Sequence, residues 1–126
     1  QPVPETVGQI ARTVYESLAL KYRSALEGLE NMKGQRIDSL NIVGGPINNK
    51  FLNQLIADSL DREVVTGPVG GAAIGNLLTQ AMALGDIKDL DHLRAVVRNS
   101  ENVETWQPNH TEAWEVAYNK LLTFLK

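Results

Sequence analysis

Leu40-Asn41-Ile42-Val43-Gly44-Gly45-Pro46-Ile47-Asn48-Asn49-Lys50 decides the fold. Ile37 to Val43 reads as a strand ending in two β-branched residues, and Gly44-Gly45-Pro46 breaks it at once. A helix from about Asn48 to Leu60 follows, with Leu52, Leu55, Ile56 and Leu60 on one side and Asn48 or Asn49 placed to cap it. A strand that runs through paired glycines into a helix leaves main chain bare enough for a ligand to approach. It also aims helix N–H groups at that ligand. In open α/β sheets, ligands favour the carboxyl ends of strands. Taken alone, most glycine pairs after a strand are plain turns, and a nucleotide cradle is the less common reading.

The other elements follow outward from that stretch. Glu63 to Thr66 is a short strand, stopped by Gly67-Pro68. A helix over about 72–84 is apolar nearly all round, which predicts deep burial. Asp89 is placed to cap a fourth helix with Leu90, Leu93, Val96 and Val97, and residues 99–109 read as a polar loop anchored by Trp106 and Pro108. A last helix begins near Thr111, with Trp114, Ala117, Tyr118, Leu121, Leu122 and Leu125 turned inward. Ahead of the glycine turn, residues 5–33 form one long helix whose apolar positions (Val7, Ile10, Ala11, Val14, Leu18, Tyr22, Ala25, Leu26, Leu29) make a stripe expected to cover the sheet, ending at a Gly34 cap. The order α-β-α-β-α-α-α predicts two parallel strands, too few for a parallel sheet that stands alone. Further strands are therefore expected from upstream sequence or a partner chain.

The bulk composition narrows the function classes. The 126 residues suit one domain, and 43% hydrophobic with 21% charged residues is ordinary for a folded globular chain. A net charge of −3 with scattered basic residues offers nothing to nucleic acid or an anionic membrane. No apolar run approaches the ~20 residues of a membrane span. The opening Gln1-Pro2-Val3-Pro4 lacks the marks of a signal peptide. Without cysteine there is no disulfide, thiolate ligand or cysteine nucleophile, and a cytoplasmic home fits.

Val43-Gly44-Gly45, Asn49 and Phe51-Leu52-Asn53-Gln54-Leu55-Ile56-Ala57-Asp58 resemble the adenosine motif of the FGGY carbohydrate kinases. Val64-Val65-Thr66-Gly67-Pro68-Val69 and Ala73-Ile74-Gly75-Asn76-Leu77-Leu78 resemble that family's second connecting element, a buried helix at the hinge between its lobes. Glu16 to Arg23, Gln80 to Gly85 and Arg94 to Ser100 are similar to the rhamnulokinase group within the family, and the likeness runs from about Glu5 to Asn109. The resemblance implies an α/β fold of the ribonuclease H-like, actin-type ATPase kind, with residues 1–126 as the C-terminal portion of the second lobe, an adenosine motif over 40–58 and a connecting helix over about 72–84. It implies ATP with Mg2+ as cofactors in the whole enzyme and a ketose such as L-rhamnulose as acceptor, reached through an N-terminal part. Gly44 and Gly45 would then lie against ribose and phosphates, with Asn49 near the adenine or ribose. Two departures stand out. Pro46 removes an N–H where a third small residue is common, and Gly70-Gly71-Ala72 replaces the Glu-Ala-Thr or Glu-Ala-Ser frequent after Gly-Pro-Val.

Phosphoryl transfer needs a metal and a group that orients or deprotonates the acceptor hydroxyl. The family takes these from an Asp-x-Gly-Thr-like loop and an Asp much earlier in the chain, and neither pattern occurs in these 126 residues. No catalytic residue is therefore assigned, and the chain alone is expected to be inactive. His92 and His110 lack a second ligand at metal spacing, and Asp86, Asp89 and Asp91 lack the glycine and glutamate of a calcium loop. Asp58 and Asp61 read as capping or surface groups, Ser17 and Ser24 have no base nearby in sequence, and Trp114 reads as core. Trp106, in a polar loop, could stack on a sugar or base or simply anchor the loop. Two rivals to the kinase reading remain: a nucleotide-binding module without catalysis, and a structural or oligomerisation domain whose strand edges pair between chains.

Overall fold

A computed structural model describes residues 3–125; Gln1, Pro2 and Lys126 lie outside the described residues, and with them the reading of Gln1-Pro2. The elements are α1 (Val7–Lys33), β1 (Ser39–Ile42), a 3-10 turn (Gly45–Asn48), α2 (Lys50–Leu60), β2 (Glu63–Thr66), α3 (Gly71–Leu84), α4 (Leu90–Ser100), β3 (Glu104–Trp106) and α5 (Glu112–Leu122). The strands form one sheet in the order β1-β2-β3. Ile42 O accepts from Gly67 N at 2.9 Å and Gly44 N donates to Pro68 O at 3.4 Å, so pairing advances in the same direction along both strands, as the β-α-β reading requires. β3 runs the other way: Gln107 Nε2 donates to Glu63 Oε2 at 2.6 Å, while Thr66 Oγ1 donates to Glu104 O at 3.3 Å.

By its internal contacts the chain forms two compact units, Gln1–Leu40 with Asn49–Val64 and Trp106–Lys126, and Asn41–Asn48 with Val65–Thr105. In the first, α2 is the core. Leu52, Leu55, Ile56, Ala57 and Leu60 are buried there together with Val64, Ala19, Leu26 and Tyr118. α1 lies along α2, and small residues permit the approach: Ala19, Ala57 and Ser59 are all fully buried. Ser59 Oγ donates to Ala19 O at 3.2 Å, which satisfies a hydroxyl that burial would otherwise penalise. α1 itself opens with a capping box, Thr6 Oγ1 accepting from Gln9 N and Gln9 Oε1 from Thr6 N. It closes on Gly34, which has a φ of 69° and donates its N–H to Glu30 O.

Two polar clusters fasten this unit. Arg62 donates to both oxygens of Glu30 at 2.9 and 3.1 Å and to the carbonyls of Ile37 and Leu60. Both side chains are largely buried, a setting in which removing one partner strands the other charge. On the other side Arg23 reaches Glu27, Glu115 and Ser59 O while its guanidinium sits 4.2 Å over the Tyr118 ring. Tyr118 Oη donates to Glu27 at 2.7 Å; burial, then that bond and the negative charge behind it, push its phenol up to about 12.

In the second unit Ile42, Thr66 and Ile87 are buried, and α3 packs against α4. Gly67 has a φ of 122°, and a side chain there would place its Cβ 2.7 Å from Asn102 O, so only glycine fits the end of β2. Asp89 caps α4 as the sequence indicates, its carboxylate accepting from His92 N at 2.8 Å.

The structure corrects several expectations. Residues 99–109 are not a continuous loop: 99 and 100 finish α4, and Glu104–Trp106 is a third strand. Its three residues are too few to show alternation, which is why periodicity missed it. α3 is not deeply buried; none of its residues is, and Leu77 and Leu84 are exposed. Apolar composition states that a helix needs cover, not that the cover lies in the same 126 residues. The stripe of α1 does not cover the sheet but divides, Ala19 and Leu26 facing inward while Val7, Ile10, Val14, Leu18 and Leu29 are exposed. Trp114, Ala117 and Leu121 are half-buried, and Leu122 and Leu125 are exposed. Asp58 is buried rather than superficial, accepting from Gln54 Nε2 and Asn109 N at 2.8 and 2.9 Å and so pinning the approach to α5.

The Glu30–Arg62 pair yields a pH test. The Ile37 amide above all, and then Arg62, hold the Glu30 carboxyl below its ordinary 4.5, against a burial that pushes it up. A carboxyl lowered in the folded state contributes its full stabilisation above the unfolded value and loses it as pH falls through the folded one. Glu30→Gln should therefore be about 1–3 kcal/mol less stable than the parent near pH 7 in urea denaturation. That gap should narrow steadily below pH 4.5.

Candidate functional site

The glycine turn lies where the sequence puts it. β1 ends at Ile42, Gly44 has a φ of 85°, and a 3-10 turn begins at Gly45. Gly44 is itself committed to the fold: its N–H points to Pro68 O, and its carbonyl accepts from Ile47 N at 3.3 Å. Its positive φ excludes most side chains on backbone grounds alone. Gly45 differs. It is exposed, is not among the positive-φ residues, and a Cβ built on it meets nothing within 4 Å. No packing constraint inside the chain explains a glycine at 45. The same open space surrounds the Cβ position of Gly44. Pro46 is exposed within the turn.

Asn49 belongs to the other compact unit, where it opens α2. Of the two asparagines it is the one that caps, its Oδ1 accepting from Leu52 N at 3.0 Å, whereas Asn48 is the last residue of the 3-10 turn and is exposed. The fold thus uses one polar end of Asn49 already. Gly70 caps α3 without a side-chain hydrogen bond, and a Cβ at Gly71 would sit in ordinary contact with Val43, 3.7 Å away. Gly75, in α3, has open space at its Cβ position.

Two of the remaining candidates have defined places in the fold. His92 Nδ1 accepts from Lys88 N at 3.2 Å, which ties the residue to the cap of α4. Trp106 is half-buried in β3. Among the described residues no group of three or more His, Cys, Asp or Glu gathers to hold a metal, and no helix is long and apolar enough to cross a membrane. Sequence reasoning missed the anchoring role of Asp58. Its spacing from Gln54 was a signal for one bond, but the bond to Asn109 spans 51 residues and could not be read locally.

The chain has the fold of solved sugar kinases. The chain superposes on a xylulose kinase from Rhodospirillum rubrum with a TM-score of 0.75, over 98% of this chain and 25% of that one, at 21% identity. A gluconate kinase from Lactobacillus acidophilus gives 0.66 over 92% and 23%, at 22% identity. The superpositions show the fold, of the actin-like ATPase kind. The family follows from sequence: residues 1–84 match the C-terminal domain of the FGGY family of carbohydrate kinases, and the chain belongs to that family. It is 42% identical to the rhamnulokinase of Bacteroides thetaiotaomicron over 118 residues, 94% of this chain and 24% of that protein. It is also 42% identical to that of Yersinia pestis over 99 residues, 79% and 20%. The chain thus spans a quarter or less of the length of these relatives.

The capping role of Asn49 can be tested. Asn49→Ala should cost about 1 kcal/mol of stability by removing the cap, while Asn49→Ser should restore most of it, as read by thermal or urea unfolding. A Ser variant as unstable as the Ala variant would mean that the cap is not what the side chain contributes to folding.

Proposed function

We propose that this chain forms part of a rhamnulokinase-like enzyme that transfers the γ-phosphoryl group of ATP to a hydroxyl of a ketose such as L-rhamnulose. Gly44 and Gly45 contribute to the binding of ATP and ADP, and Asn49 lies toward the adenosine. The observation that carries this reading is Gly45, an exposed glycine at the carboxyl end of a parallel strand for which the fold itself has no need. Such positions accept a ligand against bare main chain. The family, the 42% identity to proteins named rhamnulokinase and the solved sugar kinases of the same fold point the same way.

The residues fit a nucleotide better than a metal. Glycine main chain and a capping amide suit ribose and phosphate oxygens through neutral hydrogen bonds. Mg2+ binds through carboxylates and phosphates, and the turn from Gly44 to Asn49 holds no carboxylate. MgATP supplies the transferable phosphoryl group when bound. The part assigned to this chain is to hold and orient the nucleotide, while activation of the sugar hydroxyl and metal binding fall to residues outside these 126. The 126 residues alone should accordingly show no ketose-dependent ADP formation.

Gly45→Ala tests the site directly, because a Cβ there meets nothing within 4 Å. In the kinase that carries this chain, the variant should unfold at the parental midpoint yet bind ADP at least ~10-fold more weakly by calorimetry, about 1.4 kcal/mol. Unchanged affinity at unchanged stability would remove Gly45 from the nucleotide site.

A further inference from the structure

We infer that the outer face of α5 is a contact surface for a second copy of this chain, which it meets antiparallel across a two-fold axis at Val116. α5 seats one side on the first unit: Tyr118 is buried, and Trp114, Ala117 and Leu121 are half-buried. At 3.6 residues per turn, Glu112, Val116, Lys120 and Thr123 share the opposite side, with Ala113 and Asn119 at its margins. All six are exposed, and Val116 stands at 74% exposure in their midst. The face thus has an apolar centre, an acid toward its amino end and a base toward its carboxyl end. Among the described residues, neither Glu112 nor Lys120 forms an ion pair within the chain. Just past the helix, Phe124 is 73% exposed. At its head, Asn109, His110, Thr111, Glu112 and Ala113 line an open cleft of about 410 Å³. Glu112 and Ala113 therefore belong to both the cleft and the outer face.

One symmetry operation satisfies all of these features. A two-fold through Val116 sets each residue opposite the one equally distant from Val116 on the other copy. The two Val116 side chains then meet at the centre. Glu112 precedes the centre by one turn and Lys120 follows it by one turn, so the acid of each copy faces the base of the other. Ala113 is small enough to let the helices approach. Phe124, two turns past the centre, comes level with the cleft at the head of the other copy's α5. A two-fold contact requires such a self-complementary patch. The charges also fix the direction, because a parallel pairing would set Glu112 against Glu112 and Lys120 against Lys120. Cover by the rest of the same polypeptide would not require the face to be its own complement. The patch is small: α5 has 11 residues and is ~16 Å long, so the contact falls well below the roughly 800 Å² per partner of a stable pairing. An apolar centre with charged ends at that size makes a reversible, salt-sensitive pair. α5 also lies outside residues 1–84, which match the family's C-terminal domain, so this contact is not one that the shared domain supplies. The inference does not depend on where the nucleotide binds.

Sedimentation of the kinase that carries this chain tests it. From about 1 to about 200 µM at low salt, the parent's mass should rise from one protomer toward two, as a weak contact of this size predicts. The rise should shrink in ~1 M salt, where charges are screened within ~3 Å. Lys120→Glu sets acid against acid and should hold the protein at one protomer over the whole range, with the parental circular dichroism. Glu112→Lys combined with Lys120→Glu restores opposite charges and should restore the rise, which a local disturbance of α5 would not do. Phe124→Ala, which leaves the charges alone, should weaken the association at least about threefold by emptying the cleft. A parent that stays one protomer at every concentration would overturn the inference. So would an association that Lys120→Glu leaves intact, or a folded charge-swapped variant that does not recover it. ADP titration of the same protein reads the nucleotide site separately, and neither result decides the other.

Discussion

The close seating of α1 on α2 is the contact on which the first unit depends. Ala19, Ala57 and Ser59 are fully buried, and the Ser59 hydroxyl binds the Ala19 carbonyl across the interface. Each added methylene would force the helices apart or a side chain off its rotamer. With α2 held, its amino end is fixed at Asn49 and its carboxyl end at Asp61, a left-handed cap that turns the chain into β2. The Asp58 carboxylate near that end takes the Asn109 amide and so locates the start of α5. One buried helix thus determines where a candidate ligand residue and two later elements begin.

Polar side chains reinforce this arrangement because they are paired rather than because they are charged. Arg62 joins Glu30 and two carbonyls, and Arg23 joins two carboxylates, a carbonyl and an aromatic face. A partly buried guanidinium is tolerated when its donors all find acceptors, and its planar fork suits such multiple engagement. These residues therefore position helices and are not candidates for chemistry. The glycine turn is the opposite case. Gly67 is required by a carbonyl 2.7 Å away, whereas nothing in the chain requires Gly45. An unexplained glycine is a better pointer to a ligand than an explained one.

Most of the secondary structure was legible because its signals are local. Gly34 and Asp89 mark helix ends by capping chemistry that the sequence displays. Glu63–Thr66 was read with its stop at Gly67-Pro68 and emerged with those limits. What escaped was non-local. β3 exists because Glu104–Trp106 pairs with β2, not because three residues prefer a strand. Asp58 acquired its role from a residue 51 positions away. The exposure of α3 and of half of α1 was misjudged for a third reason: hydrophobicity records the need for burial in the finished molecule, and the chain covers about a quarter of comparable ones. The family was legible through short motifs in order, and the proposed nucleotide roles of Gly44, Gly45 and Asn49 came with that resemblance.

The central claim is that a nucleotide rests on the main chain of this turn. Glycine-selective 15N labelling of the kinase that carries the chain, followed by amide resonances during addition of ADP, reads it residue by residue. The account predicts that the amides of Gly44 and Gly45 shift in a saturable way while those of Gly8 and Gly28, on α1, stay still. Saturable binding that leaves Gly44 and Gly45 unmoved would contradict it.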